Sequence, residues 1–145
     1  MSLNFDREYF LDHYTHPRNH EVLAHPHARA EGINPLCGDR VEMGLQVDDE
    51  RIAAIYFQGK GCAVSQAAAS ILTEMVEGKA IQEVLDLSED DLLDALGIPL
   101  NPVRSNCAFL SLRVLHQCLA SVKAQFPSDI LASQGADIAS DIQRQ

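Results

Sequence analysis

Positive charge is scarce in this sequence. Its 145 residues contain 11 lysines and arginines against 21 aspartates and glutamates, a formal net charge of −10. Nucleic-acid binding draws on clustered basic residues, so this balance argues against DNA or RNA as a partner. Long apolar runs are also missing, since none approaches the roughly 20 residues that a helix needs to cross a bilayer. We therefore expect no nucleic acid and no membrane among the partners.

The first residues, Met1 to Arg7, lack the basic start and apolar stretch of a secretory signal peptide. We therefore expect a cytoplasmic protein. Apolar residues make up 46% and charged residues 22% of the chain, which is ordinary for a globular domain with one core. In that compartment, four cysteines more often bind metal or react than form disulfides.

Alternating side chains predict a small antiparallel sheet. Val41, Met43 and Leu45 share one face of a strand over residues 40–47. A polar turn at residues 48–50 leads to a second strand over residues 52–57. Residues 58–61 are predicted to break that strand, with room for a short third strand leading to Cys62. Residues 15–36 are predicted to be extended and irregular.

Helical spacing of apolar residues predicts four helices. They cover Phe5 to Tyr14 with Asn4 as N-cap, Ala63 to Glu77 with Gly78 after its end, Ser88 to Ala95, and Asn106 to Phe126. The fold class is therefore predicted as α+β, with a sheet of about three strands packed with helices. Residues 1–126 are predicted to form the domain and residues 127–145 a mobile C-terminal tail.

No two of the four cysteines form a C-x-x-C pair, which argues against a zinc ribbon. Cys62 and Cys107 each lie at the start of a predicted helix, where the helix dipole favours a thiolate. Gly59 and Gly61 would let the backbone approach closely beside Cys62. Local chemistry alone fits a reactive thiol and a small buried side chain equally well.

Cys37 changes that balance, because Asp39 follows it by two residues and both side chains could face one ion. Three thiolates and one carboxylate would suit zinc or an iron–sulfur cluster. Cys118 lies about 16 Å along a helix from Cys107, too far to share an ion with it. We expect Cys118 to be a core residue.

Catalytic arrangements of other kinds have little support in the sequence. The six histidines are irregularly spaced, so we expect solvated or hydrogen-bonded roles for them. A Ser-His-Asp or Cys-His nucleophile cannot be assembled from the sequence. A zinc hydrolase would need an open coordination position and a nearby base, and no H-E-x-x-H motif occurs. It is a remote alternative.

The motifs around these residues resemble those of the U-type iron–sulfur cluster scaffold family, which includes IscU, SufU and the N-terminal domain of NifU. Residues 11–19, 34–39, 57–65 with Ser70, Thr73 and Glu74, and 102–110 carry the resemblance. The phrase Gly61 to Ser65 is SufU-like. The separation of 107 − 62 = 45 residues between Cys62 and Cys107 is too short for the insertion usual in SufU. Asn106 stands where IscU has histidine. The chain is most similar to a SufU-like form without the insertion.

This resemblance implies a scaffold rather than an enzyme, with sulfurtransferase activity as an extension. Such a scaffold accepts sulfur from a cysteine desulfurase, assembles a transient [2Fe–2S] cluster and transfers it to apo iron–sulfur proteins. The implied ligands for zinc or the cluster are Cys37, Asp39, Cys62 and Cys107. Cys107 is the first expected sulfur acceptor and Cys62 the second. The main alternative is a zinc-dependent sulfur-transfer protein that activates a desulfurase through the same four residues. A purely structural zinc site is a further alternative.

Overall fold

The computed structural model describes residues 3–22 and 24–125 of the chain. Its elements, in chain order, are α1 Leu3–Thr15, β1 Ala28–Asn34, β2 Asp39–Asp48, β3 Arg51–Lys60, α2 Ala63–Val76, α3 Ile81–Leu85, α4 Glu89–Leu96 and α5 Pro102–Gln125. The predicted α+β class with a three-stranded antiparallel sheet is confirmed. None of the helices in this described part is long and apolar enough to cross a membrane. The tail predicted at residues 127–145 lies outside the described residues.

The three strands lie in the order β1-β2-β3, so that β2 is central. β2 and β3 are joined by a tight turn in which Asp49 and Glu50 both have positive φ angles, of 54° and 65°. Turns of this kind match the natural twist of paired strands. The predicted break after Phe57 is wrong, because β3 continues to Lys60 and Gly59 pairs with Val41. A separate short strand before Cys62 is therefore not needed.

β1 is a strand that the sequence prediction missed, since it lies within residues predicted to be irregular. Its inward-facing positions carry small or polar side chains, so the hydrophobic alternation is weak. The reason is the close approach of α5: a Cβ atom on Gly32 would lie 2.8 Å from Val114 Cγ2. Small residues here let the long helix pack directly on the sheet edge.

The core lies between one face of the sheet and the helices α2 and α5. Val41, Met43 and Leu45 are fully buried, as their alternation predicted. One side of α5 is also buried; it comprises Leu110, Val114, Cys118 and Val122. α2 begins at Ala63 as predicted, and Gly78 follows its end with a φ of 84°.

Helix ends were predicted less well. Asn4 lies inside α1 rather than at its N-cap, and the short helix α3 was not predicted. Ser88 is the N-cap of α4, and its Oγ accepts a 3.1 Å hydrogen bond from the Asp91 amide. α5 begins at Pro102, so Asn106 is not its cap. Asn101 Oδ1 accepts instead from the Arg104 amide at 2.9 Å.

Candidate metal centre

Four short segments bring the proposed ligands to one end of the sheet. Cys37 lies in the turn between β1 and β2, Asp39 is the first residue of β2, Cys62 immediately precedes α2, and Cys107 lies in the second turn of α5. The Asn34 carbonyl oxygen accepts from the amides of Cys37 and Gly38, at 3.2 and 2.9 Å. These two hydrogen bonds fix the tight turn that carries Cys37.

Three of the four predicted ligands form a compact group. The ligand atoms of Cys37, Asp39 and Cys107 all lie within 4.8 Å of one another. The Sγ atoms of Cys37 and Cys107 are 3.1 Å apart, and both thiols are free. Cys62 lies outside this group, immediately before α2. The geometry therefore groups two thiols and one carboxylate, with a third thiol, that of Cys62, beside them.

Asp39 shows whether these residues fit a metal. Its side chain is buried, and Oδ1 accepts a 2.9 Å hydrogen bond from the Cys62 amide. Oδ2 is buried and has no hydrogen-bond partner. An unsatisfied buried carboxylate oxygen is costly, and coordination of a cation would remove that cost. Thiolates with one carboxylate suit zinc or iron, so the donor set fits zinc or an iron–sulfur cluster.

Gly61 makes room for this carboxylate, as the sequence predicted for the glycines beside Cys62. A Cβ atom at Gly61 would lie 2.3 Å from Asp39 Oδ1 and 2.9 Å from Asp39 Cα. Its φ of +146° is also one that side chains with a Cβ rarely adopt. The chain can therefore carry Asp39 against the Cys62 amide only with glycine at position 61.

Cys62 and Cys107 occupy different environments. Cys62 is half-buried and immediately precedes α2 as its N-cap residue, as predicted. Cys107 is fully buried inside α5, so its predicted position at a helix N-terminus is wrong. Burial raises the pKa of the Cys107 thiol well above its ordinary value, and the neighbouring Asp39 carboxyl and the other two thiols raise it further.

Cys118 is a core residue, as predicted. It is fully buried, and its Sγ lies 3.4 Å from the Met43 carbonyl oxygen, to which it donates. Burial raises the pKa of this thiol to about 12. Cys118 is therefore a neutral side chain that packs between α5 and β2, outside the group of Cys37, Asp39 and Cys107.

A buried polar network holds α1 against α2, and sequence reasoning missed it. His13 Nδ1 lies 2.7 Å from Ser70 Oγ, and His13 Nε2 lies 3.4 Å from Glu74 Oε1. The Arg18 amide donates to the same Ser70 oxygen at 2.8 Å. These residues form a Ser-His-Glu array, but Ser70 has no exposed surface, so no substrate can reach it. The array is structural.

The two halves of this network are far apart in the chain, which explains why spacing did not reveal it. The signal was present in the family resemblance, because residues 11–19 and the group Ser70, Thr73 and Glu74 both belong to it. Asn19 Nδ2 adds a 3.1 Å hydrogen bond to Thr73 Oγ1. The motif after α1 therefore serves to dock that helix.

Acidification is expected to weaken this docking. Burial lowers the pKa of His13 below its ordinary value of 6.5, and the nearby Arg18 charge lowers it further. The unfolded chain then binds a proton that the folded chain does not, so this part of the stability is complete above about pH 6.5 and decreases as the pH falls below it. We expect the urea midpoint of the metal-free protein to drop between pH 7.5 and 5.5.

His13→Gln provides the matched control for this titration. The variant should lose about 1–3 kcal/mol at pH 7.5, because it disturbs buried hydrogen bonds. It should also have a flatter pH dependence than the parent protein, since glutamine does not titrate. Equal pH dependence of the urea midpoint in both proteins would show that another group is responsible.

Comparison with known proteins gives one family and several relatives. The family of NifU-like N-terminal domains matches residues 6–127. The zinc-dependent sulfurtransferase SufU of Bacillus subtilis is 34% identical over 131 residues, covering 79% of this chain and 88% of that protein. The iron–sulfur cluster assembly scaffold protein IscU of Aquifex aeolicus is 38% identical over 118 residues, covering 80% of this chain and 74% of that protein.

Solved structures show the same fold. The crystal structure of a putative iron–sulfur cluster assembly scaffold protein for the SUF system, from Fervidobacterium islandicum, superimposes with a TM-score of 0.67. It is 26% identical, and the match covers 77% of this chain and 94% of that one.

Proposed function

The chain belongs to the family of NifU-like N-terminal domains, and we propose that it is an iron–sulfur cluster assembly scaffold. It accepts sulfur from a cysteine desulfurase, builds a transient [2Fe–2S] cluster and passes it to apo-proteins. The observation that carries this proposal is the group of Cys37, Asp39 and Cys107, in which Asp39 Oδ2 is buried without a partner. With Cys62 beside them, these residues would hold the zinc or the cluster.

Sulfur acceptance needs a thiol that a donor can reach. Cys107 was the first candidate from the sequence and Cys62 the second, but Cys107 has no exposed surface. Cys37 and Cys62 are both half-buried, and we place Cys62 first because it was the second candidate from the sequence and lies at the N-terminus of α2. Its thiolate attacks the outer sulfur of the desulfurase persulfide. The old S–S bond breaks, the desulfurase cysteine leaves as thiolate, and a new S–S bond forms without net oxidation.

The surroundings of the site favour delivery by a protein partner. Leu36, next to Cys37, is 85% exposed, and Val103, next to Arg104, is 56% exposed. Large exposed apolar side chains at the rim of a site are typical of protein-binding surfaces. Both support docking of a cysteine desulfurase and, later, of a recipient apo-protein. The proposal also includes a cytoplasmic location and a scaffold domain at residues 1–126, followed by a separate tail.

The alternative is a zinc-dependent sulfur-transfer protein. It is favoured by the similarity to a relative named as a zinc-dependent sulfurtransferase. The same residues serve both functions: a bound zinc would supply a Lewis acid that keeps its cysteine ligands deprotonated. In either case the protein hands sulfur on through its own cysteines rather than turning over a small substrate.

One reconstitution experiment tests the proposal and its alternative. The anaerobically purified protein is incubated with the organism's own cysteine desulfurase, L-cysteine, ferrous iron and a reductant. A scaffold should develop [2Fe–2S] absorption and then activate an apo-ferredoxin. The zinc-dependent alternative predicts that about one zinc per chain is retained while alanine production by the desulfurase rises. Absence of cluster, of zinc and of desulfurase stimulation would contradict both functions.

A further inference from the structure

A row of three exposed side chains crosses the sheet at the end that carries the candidate centre. Ile33 pairs with Arg40, and Arg40 pairs with Lys60, so the three residues lie side by side on β1, β2 and β3. Arg40 directly follows Asp39, and Lys60 lies two residues before Cys62. Because Asp39 is buried and successive side chains of a strand point to opposite faces, this exposed row faces away from the core.

Two members of the exposed row carry the same charge. Like charges directly opposite one another on neighbouring strands are destabilising. Arg40 is compensated by an ion pair with Glu31 on β1. Lys60 is exposed, and no carboxylate forms an ion pair with it within residues 3–22 and 24–125. The positive charge of Lys60 therefore gives the fold no stabilising contact, and its role should be sought in a partner.

Ile33 gives the exposed row an apolar end. Its side chain is 64% exposed, although isoleucine is among the residues most often buried. Leu36, in the turn that follows β1, is exposed as well and lies next to Cys37. Exposed apolar side chains bordered by charged ones are typical of protein-binding surfaces. The exposed row therefore combines an apolar contact and a free positive charge at the edge of the candidate centre.

The sign of this charge indicates which partner the exposed row would bind. The chain carries a net charge of −10, so its overall field attracts basic proteins and repels acidic ones. Arg40 and Lys60 reverse that preference locally, because they attract an acidic partner to this end of the sheet and repel a basic one. A protein that receives an iron–sulfur cluster binds it through cysteine thiolates, which make its own site negative.

We propose that the exposed row is the docking surface for a recipient apo-protein that has acidic side chains around its cluster-binding cysteines. The inference rests on the proposed function, in which a cluster passes to apo-proteins. Lys60 supplies the electrostatic attraction and Ile33 the apolar contact. Docking at this row brings the recipient's cysteines to the end of the sheet that carries Cys37, Asp39 and Cys62.

The test measures binding of the zinc-loaded full chain to the apo form of an acidic [2Fe–2S] ferredoxin from the same organism, by isothermal titration calorimetry. The variants are Lys60→Glu and Ile33→Thr, of which the second keeps a β-branched side chain in β1. Lys79→Glu is the matched control, since it changes the net charge by the same amount. Lys79 is also exposed and has no ion pair in the described part of the chain. Its carbonyl oxygen accepts from the Ile52 amide, at the opposite end of β3 from Lys60.

We expect Lys60→Glu to weaken binding about tenfold at about 0.05 M salt and far less at about 0.5 M, because salt screens exposed charges. Ile33→Thr should weaken it about threefold at both salt concentrations, since apolar burial is not screened. Lys79→Glu should stay within about twofold of the parent protein, and zinc content should be equal in all four proteins. No binding by the parent, equal weakening by the two lysine variants, or parent-like binding by Lys60→Glu would overturn the inference.

Two activity assays on the same proteins separate this inference from the proposed function. Lys60→Glu should transfer its cluster to the apo-ferredoxin more slowly than the parent at low salt, while stimulating the cysteine desulfurase as well as the parent does. Parent-like transfer, or a loss of desulfurase stimulation as large as the loss of ferredoxin binding, would overturn the docking role and leave the scaffold proposal standing. Lys60-dependent binding of ferredoxin by a parent protein that neither builds a cluster nor stimulates a desulfurase would do the reverse.

Discussion

Replacing Cys37 or Cys107 with serine is expected to weaken zinc binding by about a hundredfold, whereas Cys118→Ser leaves it unchanged. Structural zinc sites are worth roughly 10–16 kcal/mol. One donor of four then carries about 3 kcal/mol, or about two factors of ten in affinity. Cys62→Ser should cost less, about tenfold, because Cys62 lies outside the compact group of donors. Competition with a chromophoric chelator measures all four affinities.

Cys118→Ser is a demanding control because Cys118 is as deeply buried as Cys107. Its serine hydroxyl can still donate to the Met43 carbonyl oxygen, so the variant should fold with a modest loss of stability. Thermal unfolding of the metal-free proteins separates loss of fold from loss of ligand. Zinc loss from Cys118→Ser as large as that from Cys107→Ser would show that the ligand set is wrong.

The central parts of the fold could be predicted because the local spacing of their apolar residues indicates which side chains are buried. Val41, Met43 and Leu45 alternate on β2, and each is fully buried. The same holds for α2, in which small and large apolar residues recur at helical spacing and Gly78 marks the end. In these elements, local preference and tertiary packing agree.

β1 could not be predicted because its small side chains are required by packing against α5, which is distant in the chain. Gly32 is small since Leu110 and Val114 of α5 lie against it. This makes the strand look like an irregular polar segment when it is read without its partner.

The start of α5 is different, because a usable signal was present. Asn101 followed by Pro102 is a typical pair of N-cap and first helical residue, whereas the predicted helix begins at Asn106.

The candidate site was likewise predictable only in part. The residues Cys37, Asp39, Cys62 and Cys107 came from the sequence, with the family resemblance linking them into one set. The different burial of Cys62 and Cys107 could not be predicted from the sequence, because burial of Cys107 depends on α2 and α5 packing together. Asp39 Oδ2 without a partner is likewise visible only in three dimensions.

Gly61→Ala is expected to reduce zinc affinity about as strongly as the loss of a ligand. The new Cβ atom would lie 2.3 Å from Asp39 Oδ1, 2.9 Å from Asp39 Cα and 2.8 Å from Ser65 Oγ. Because one of these atoms is backbone, side-chain rotation alone cannot relieve the contact. Asp39 must move away from the Cys62 amide, so the site loses a correctly placed carboxylate and a fixed Cys62 together.

Gly38→Ala is the matched control, one residue after Cys37 in the same site. Gly38 also has a positive φ, of +72°, but a Cβ atom there would meet nothing within 4 Å. The substitution should therefore cost roughly 1–2 kcal/mol of stability through backbone strain and leave zinc affinity within a few-fold of the parent. Chelator competition and urea unfolding of both variants give the comparison. Equal loss of zinc affinity in the two variants would mean that backbone strain near the cysteines, rather than displacement of Asp39, governs metal binding. Parent-like zinc affinity in Gly61→Ala would show that Asp39 is not a ligand that this glycine positions.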